Sequence, residues 1–96
     1  MSEKKQLEFS LLSIANMEAI RLRIAADNPI AASRVIESVA STADKLMDFP
    51  MLGHIGRRPG TRELVLSKYP YTIVYRLTMK KVIIAAVIHQ SRKSPS

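Results

Sequence analysis

Three arginines crowd the stretch GRRPGTREL, residues 56–64: Arg57 and Arg58 precede a Pro59-Gly60 pair, and Arg62 follows it. Guanidinium groups at this density suit an anion or an acidic surface, since each carries a permanent charge and five donors. Arg76 lies further along the chain, and Arg92 and Lys93 sit near its end. The two histidines, His54 and His89, are too far apart in sequence for a paired metal-ligand motif. There is no cysteine, which removes disulfides, thiolate metal sites and cysteine nucleophiles. No Gly-rich phosphate loop, H-E-x-x-H or nucleophile elbow is present, and the eight carboxylates show no readable pair. No cofactor and no metal are expected.

The charge is unevenly placed. Residues 1–48 hold six Lys/Arg against seven Asp/Glu, a net of −1, whereas residues 49–96 hold nine against the single Glu63, a net of +8. A half-chain so cationic favours an anionic partner, either nucleic acid or an acidic protein, over a face that is merely solvated. Ninety-six residues at 47% apolar content fit a single globular domain, 1–96, with the polar tail 91–96 expected to fray. No run approaches a membrane span, and MSEKKQLEF has no apolar stretch behind its charges, so a cytoplasmic protein is expected.

The elements that must position these groups follow from periodicity. KQLEF alternates as a short strand. Leu12, Ile14, Met17, Ile20, Ile24 and Ala25 predict an amphipathic helix from about Leu11 to Ala26. Asn28 suits the cap of a second helix and Pro29 its first position. Ala32, Val35, Ile36, Val39, Ala43, Leu46 and Met47 form that helix's stripe, and Pro50 ends it. Residues 50–60, with two prolines and three glycines, read as loop. TRELVLS, YTIVYRL and KVIIAAVIH read as strands, the last apolar on both faces and so interior to the sheet. The result is α+β, in the order β-α-α-β-β-β, with a helical hairpin on a small, mainly antiparallel sheet. Basic residues interleaved with Tyr69, Tyr71 and Tyr75 could stack single-stranded bases, but Tyr71 and Tyr75 share a strand face with Ile73 and suit a core equally well.

At RPGTREL, YPYTIVYR and VIHQSRKSP, in that order and spacing, the chain resembles the ParE/RelE superfamily of bacterial toxins. MEAIRLRIAADNPIAASRVIESV is similar to the family's helical hairpin, and the resemblance runs over residues 7–93. It departs at FSLL, which lacks the proline often found at the first helix start, and in its tail SRKSPS. The fold that the resemblance implies is the one already derived from periodicity.

The superfamily divides by activity. RelE-like members cut messenger RNA on the ribosome; ParE-like members poison DNA gyrase without being nucleases. RNA cleavage needs a base, an acid and a cation at the phosphate. Ribonuclease members often carry an arginine where this chain has Thr72, and several end in His-Tyr where this chain has His89-Gln90. The resemblance therefore implies a ParE-like type II toxin, non-enzymatic, with Arg57, Arg58, Arg62, Arg76, Arg92 and Lys93 as gyrase-binding candidates. The alternative is a RelE-like ribosome-dependent endoribonuclease using Arg62 or Arg76 for phosphate and His89 for proton transfer. Arg62 and Glu63 are equally suited to tying their strand to the loop, and His89 to a hydrogen-bonded strand end. A ParD-like antitoxin is the implied partner, in a hetero-oligomer, with a role such as plasmid stabilisation. No DNA-reading element is visible, so contact with DNA is expected only through the antitoxin.

Overall fold

The computed structural model describes residues 4–92. A first strand β1 (Gln6–Phe9) leads into helices α1 (Leu11–Ala25) and α2 (Pro29–Asp48). Strands β2 (His54–Ile55), β3 (Arg62–Val65), β4 (Tyr71–Leu77) and β5 (Lys81–His89) follow, and Gln90–Arg92 close the description in one 3-10 turn. The sheet order is β1-β5-β4-β3-β2. β1 runs parallel to β5, and every other pair is antiparallel. A parallel pair needs a long crossover, and the helical hairpin followed by β2–β4 supplies it.

The expected α+β architecture is present, with one added element. β2 is two residues long and lies inside the stretch read as loop. It forms because His54 and Ile55 pair with Glu63 and Arg62, turning the arginine segment into a hairpin. The last strand is interior, flanked by β1 and β4. Lys93–Ser96, most of the tail expected to fray, lie outside the described residues.

The two helices begin for legible reasons. Asn28 Oδ1 accepts the Ala31 amide at 3.0 Å, and Pro29 occupies the first turn, where its missing N–H costs nothing. Ser10 caps α1: its Oγ accepts the Ser13 amide at 3.0 Å and donates to the Ala85 carbonyl at 2.9 Å. The second bond ties the start of α1 to β5 and so sets the helix's rotation.

As a result α1 turns Ser13, Met17, Ile20 and Ile24 inward, while Leu12 (60% exposed) and Ile14 (51%) face outward. This corrects the stripe read from sequence, which counted Leu12 and Ile14 as inward positions. Ser13 can be fully buried because its hydroxyl donates to the Ser10 carbonyl at 2.8 Å. α2 buries Ala32, Val35, Val39, Ala43 and Leu46, as its spacing predicts.

Val39, Leu46, Ile73, Tyr75, Val82 and Ile84 are sealed from solvent between the hairpin and one sheet face. Each such aliphatic side chain stabilises the fold by about 1.5–3 kcal/mol. Tyr71 and Tyr75 are in this core, so neither offers an open face for base stacking, and Tyr69 is half-buried against it. A bulge on β5 interrupts the β4–β5 ladder: Val74 faces Ala86 but Tyr75 faces Ile84, leaving Ala85 as the extra residue. It is the Ala85 carbonyl that Ser10 engages.

Candidate functional site: a clamped arginine hairpin

The hairpin that carries Arg57 and Arg58 is closed by a turn and anchored at its base. Thr61 N donates to the Arg58 carbonyl at 3.1 Å, and Gly60 has φ +79°, the arrangement of a turn that wants glycine third. Gly56 N donates to the Thr61 carbonyl at 2.8 Å, and the Thr61 hydroxyl to the Arg58 carbonyl at 2.7 Å.

Three sheet residues hold the base. Tyr75 is wholly buried; its hydroxyl donates to the Pro50 carbonyl at 2.8 Å and accepts the Gly53 amide at 2.9 Å. Arg62, its register partner on β3, donates to the Gly53 carbonyl from Nη2 at 2.6 Å and from Nε at 3.1 Å. Glu63 alternates to the other face and is 6% exposed. Its carboxylate accepts the Arg57 amide at 3.2 Å and lies 4.0 Å from His54 Nε2. A carboxylate so enclosed needs partners, and the hairpin backbone supplies one. Gly53 has no room for a side chain: a Cβ there would stand 2.6 Å from the Glu63 carbonyl oxygen and 2.7 Å from the Tyr75 hydroxyl.

Sequence reasoning singled out Arg57 and Arg58, and both are exposed on the hairpin between β2 and β3. Arg62 faces inward to the loop carbonyls. Arg76 is exposed on β4 but alternates to the face opposite Tyr71 and Tyr75. Arg92 ends the 3-10 turn, and Lys93 lies outside the described residues. His89 stands opposite Tyr71 and meets its ring edge to face, with centroids 5.2 Å apart. Its Nδ1 accepts the Ser91 amide at 3.0 Å.

These positions do not converge. Tyr71 is the register partner of His89, and Tyr75 that of Arg62. Four residues of strand separate them, roughly 13 Å. Arg76 is roughly 17 Å along the same strand and on the opposite face. Thr72, at the place where ribonuclease members often carry arginine, is fully buried, and its hydroxyl has no hydrogen-bond partner among the described residues. No group of three or more metal-ligating side chains occurs among the described residues.

Gly53 and the clamping role of Tyr75 were not found by reading the chain. The signals were present: a tyrosine sealed in a core must place its hydroxyl on a partner, and a glycine in a loop can mark a close backbone approach.

Known proteins place this architecture. A family model described as ParE toxin of type II toxin–antitoxin system, parDE, matches residues 7–94. The chain belongs to the ParE toxin family. It is 35% identical over 92 residues to "Putative toxin Y4kP" of Sinorhizobium fredii (strain NBRC 101917 / NGR234), covering 96% of this chain and 95% of that one. The solved chromosomal ParDE system from P. aeruginosa superposes with a TM-score of 0.81 at 20% identity, over 92% of this chain and 98% of that one. The RelBE2 toxin–antitoxin complex from Mycobacterium tuberculosis gives 0.66 at 21% identity, over 90% and 98%. The ParE/RelE fold expected from the sequence is therefore the fold of this chain, a toxin of the type II class. No helix among the described residues is long and apolar enough to cross a membrane.

Proposed function

We propose that this ParE-family toxin poisons DNA gyrase without catalysis of its own, in the cytoplasm, and is neutralised by a ParD-like antitoxin. The observation that carries the reading is the dispersal of His89, Arg62 and Arg76 over two sheet faces and roughly 13–17 Å of strand. A centre built from His89 with Arg62 or Arg76 would need its proton-transfer group and its phosphate cation about one side-chain length apart. The clamped hairpin supports a binding role instead. It presents Arg57 and Arg58 from a backbone held at both ends, so little ordering entropy is lost when a partner docks.

The antitoxin half of the proposal rests on family membership and on charge. A segment that is disordered alone and acidic would be drawn to the +8 half of this chain. An apolar groove beside the helical hairpin, lined by Phe9, Ile14, Met17, Ile36 and Ala40, offers such a segment a place to bury apolar side chains.

The test is a plasmid assay with purified protein, gyrase and ATP, scored for linear DNA after detergent and protease. Translating ribosomes with message are treated in parallel. Linear DNA with intact message, abolished by a ParD-like antitoxin, is the expected result. Cut message without linear DNA would move the chain to the ribonuclease branch.

A further inference from the structure

A cleft of about 310 Å³ lies between α1 and the end of β5, and neither the gyrase nor the antitoxin reading uses it. Its walls include Asn16, Ile20, Arg23, Tyr71, Val87 and His89. Four of these are polar, and in three of them an acceptor atom already takes a hydrogen bond from the protein. Asn16 Oδ1 accepts the Val87 amide at 3.1 Å; a backbone amide can only donate, so this fixes which end of the side chain is oxygen. Tyr71 Oη accepts from Arg23 Nη2 at 3.2 Å. His89 Nδ1 accepts the Ser91 amide, which leaves the proton of the neutral ring on Nε2.

Mostly donors remain. They are the Asn16 NH₂, the Tyr71 O–H, the other N–H groups of Arg23 and the His89 Nε2–H. No carboxylate lines the cleft. Tyr71, only 4% exposed, is fixed by its edge-to-face contact with His89. A positively charged cleft in which donors predominate and no carboxylate competes favours a ligand that is all acceptor. Arg23 Nη2 and Tyr71 Oη are adjacent donors, so each can take one oxygen of a planar anion.

We propose that this cleft is a carboxylate-binding site, held by Arg23, Tyr71 and His89, with Asn16 as the fourth donor. The carboxylate can belong to a free small acid or to the acidic side chain of a peptide. β1 pairs with β5 only as far as Ile84. Beyond it the outward groups of β5 are met by Ser10 and Asn16 side chains rather than by a strand.

The experiment is a ¹H–¹⁵N NMR titration of the whole chain with acetate, with phosphate and with the peptide acetyl-Glu-Glu-amide, each against chloride at equal ionic strength. Acetate is expected to shift the Asn16 side-chain amide, the Arg23 Nε–H and the His89 ring saturably. Arg23→Gln and Tyr71→Phe are each expected to weaken that binding by about tenfold. Tyr71→Phe keeps the ring in the core, so it serves if Arg23→Gln disturbs the fold. Peptide bound more tightly than acetate assigns the peptidic source, and equal binding the free acid. The same shifts with chloride, tighter binding of phosphate than of acetate, or unchanged affinity in both variants would overturn the proposal.

Discussion

Arg62 and Tyr75, register partners on β3 and β4, close on the two sides of one peptide unit's residue: Arg62 holds the Gly53 carbonyl at 2.6 Å and Tyr75 its amide at 2.9 Å. The loop leaving α2 is thereby fixed to the sheet just before the chain enters the arginine hairpin. A buried hydroxyl and a guanidinium act here as one clamp, and its removal should be felt at a distance.

Tyr75→Phe keeps the core volume but strips both hydroxyl bonds, leaving Gly53 N and the Pro50 carbonyl without their partner. Loss of stability by about 1–3 kcal/mol is expected. Chemical denaturation should show a lower midpoint at an unchanged slope.

The two arginine classes should separate. Arg62→Ala removes charged bonds to loop carbonyls and should cost about 1.5–3 kcal/mol. Arg58 is exposed, and its side chain has no partner among the described residues. Arg58→Ala should leave stability within about 0.5 kcal/mol while lowering linear DNA in the gyrase assay. Unfolding curves and cleavage yields on the same preparations check both halves.

Two glycines of the same region should respond to alanine by different amounts and for different reasons. At Gly53 a Cβ meets backbone oxygen and the Tyr75 hydroxyl, so Gly53→Ala should cost about 2–3 kcal/mol. At Gly60 the space is open and only the positive φ is penalised, so Gly60→Ala should cost about 1 kcal/mol. Thermal melts rank the pair.

Much of this fold could be read from the chain, and the failures have physical causes. α2 was legible because its apolar spacing, Asn28 cap and Pro29 all agree. The interior position of β5 was legible because Val82–Ile88 is apolar on both faces. The parallel pairing of β1 was not, because strand partners far apart in sequence leave no local signal. The phase of α1 was hidden for another reason: hydrogen bonds from the Ser10 hydroxyl to the Ala85 carbonyl and from the Val87 amide to Asn16 set it, not its hydrophobic residues. At the site, Arg57 and Arg58 were visible as exposed loop cations. The clamp beneath them depends on β3–β4 register, which spacing alone does not specify.

Association with an acidic antitoxin should slow steeply as salt rises, since the basic half steers encounter and salt screens it. Stopped-flow on-rates at several ionic strengths measure this. A flat dependence would show that the charge asymmetry plays no part in capture.

On α1 the Arg21 guanidinium donates to both Glu18 oxygens, at 3.0 and 2.7 Å, and this bonding holds the Glu18 carboxyl below its ordinary range. A lowered carboxylate contributes stability above its unfolded pKa and loses it as pH falls through the folded value. Arg21→Gln should therefore return the Glu18 titration to the ordinary carboxylate range, as carbon-detected NMR would record.

The central claim is that the arginine hairpin, and not His89, carries toxicity. The decisive measurement is the yield of linear plasmid from gyrase and ATP with the native toxin, with Arg58→Ala and with His89→Ala, each first shown to be folded. The account predicts linear DNA with the native chain and with His89→Ala, and a clear loss with Arg58→Ala. Full yield with Arg58→Ala, or loss with His89→Ala accompanied by message cleavage in the native chain, would contradict it.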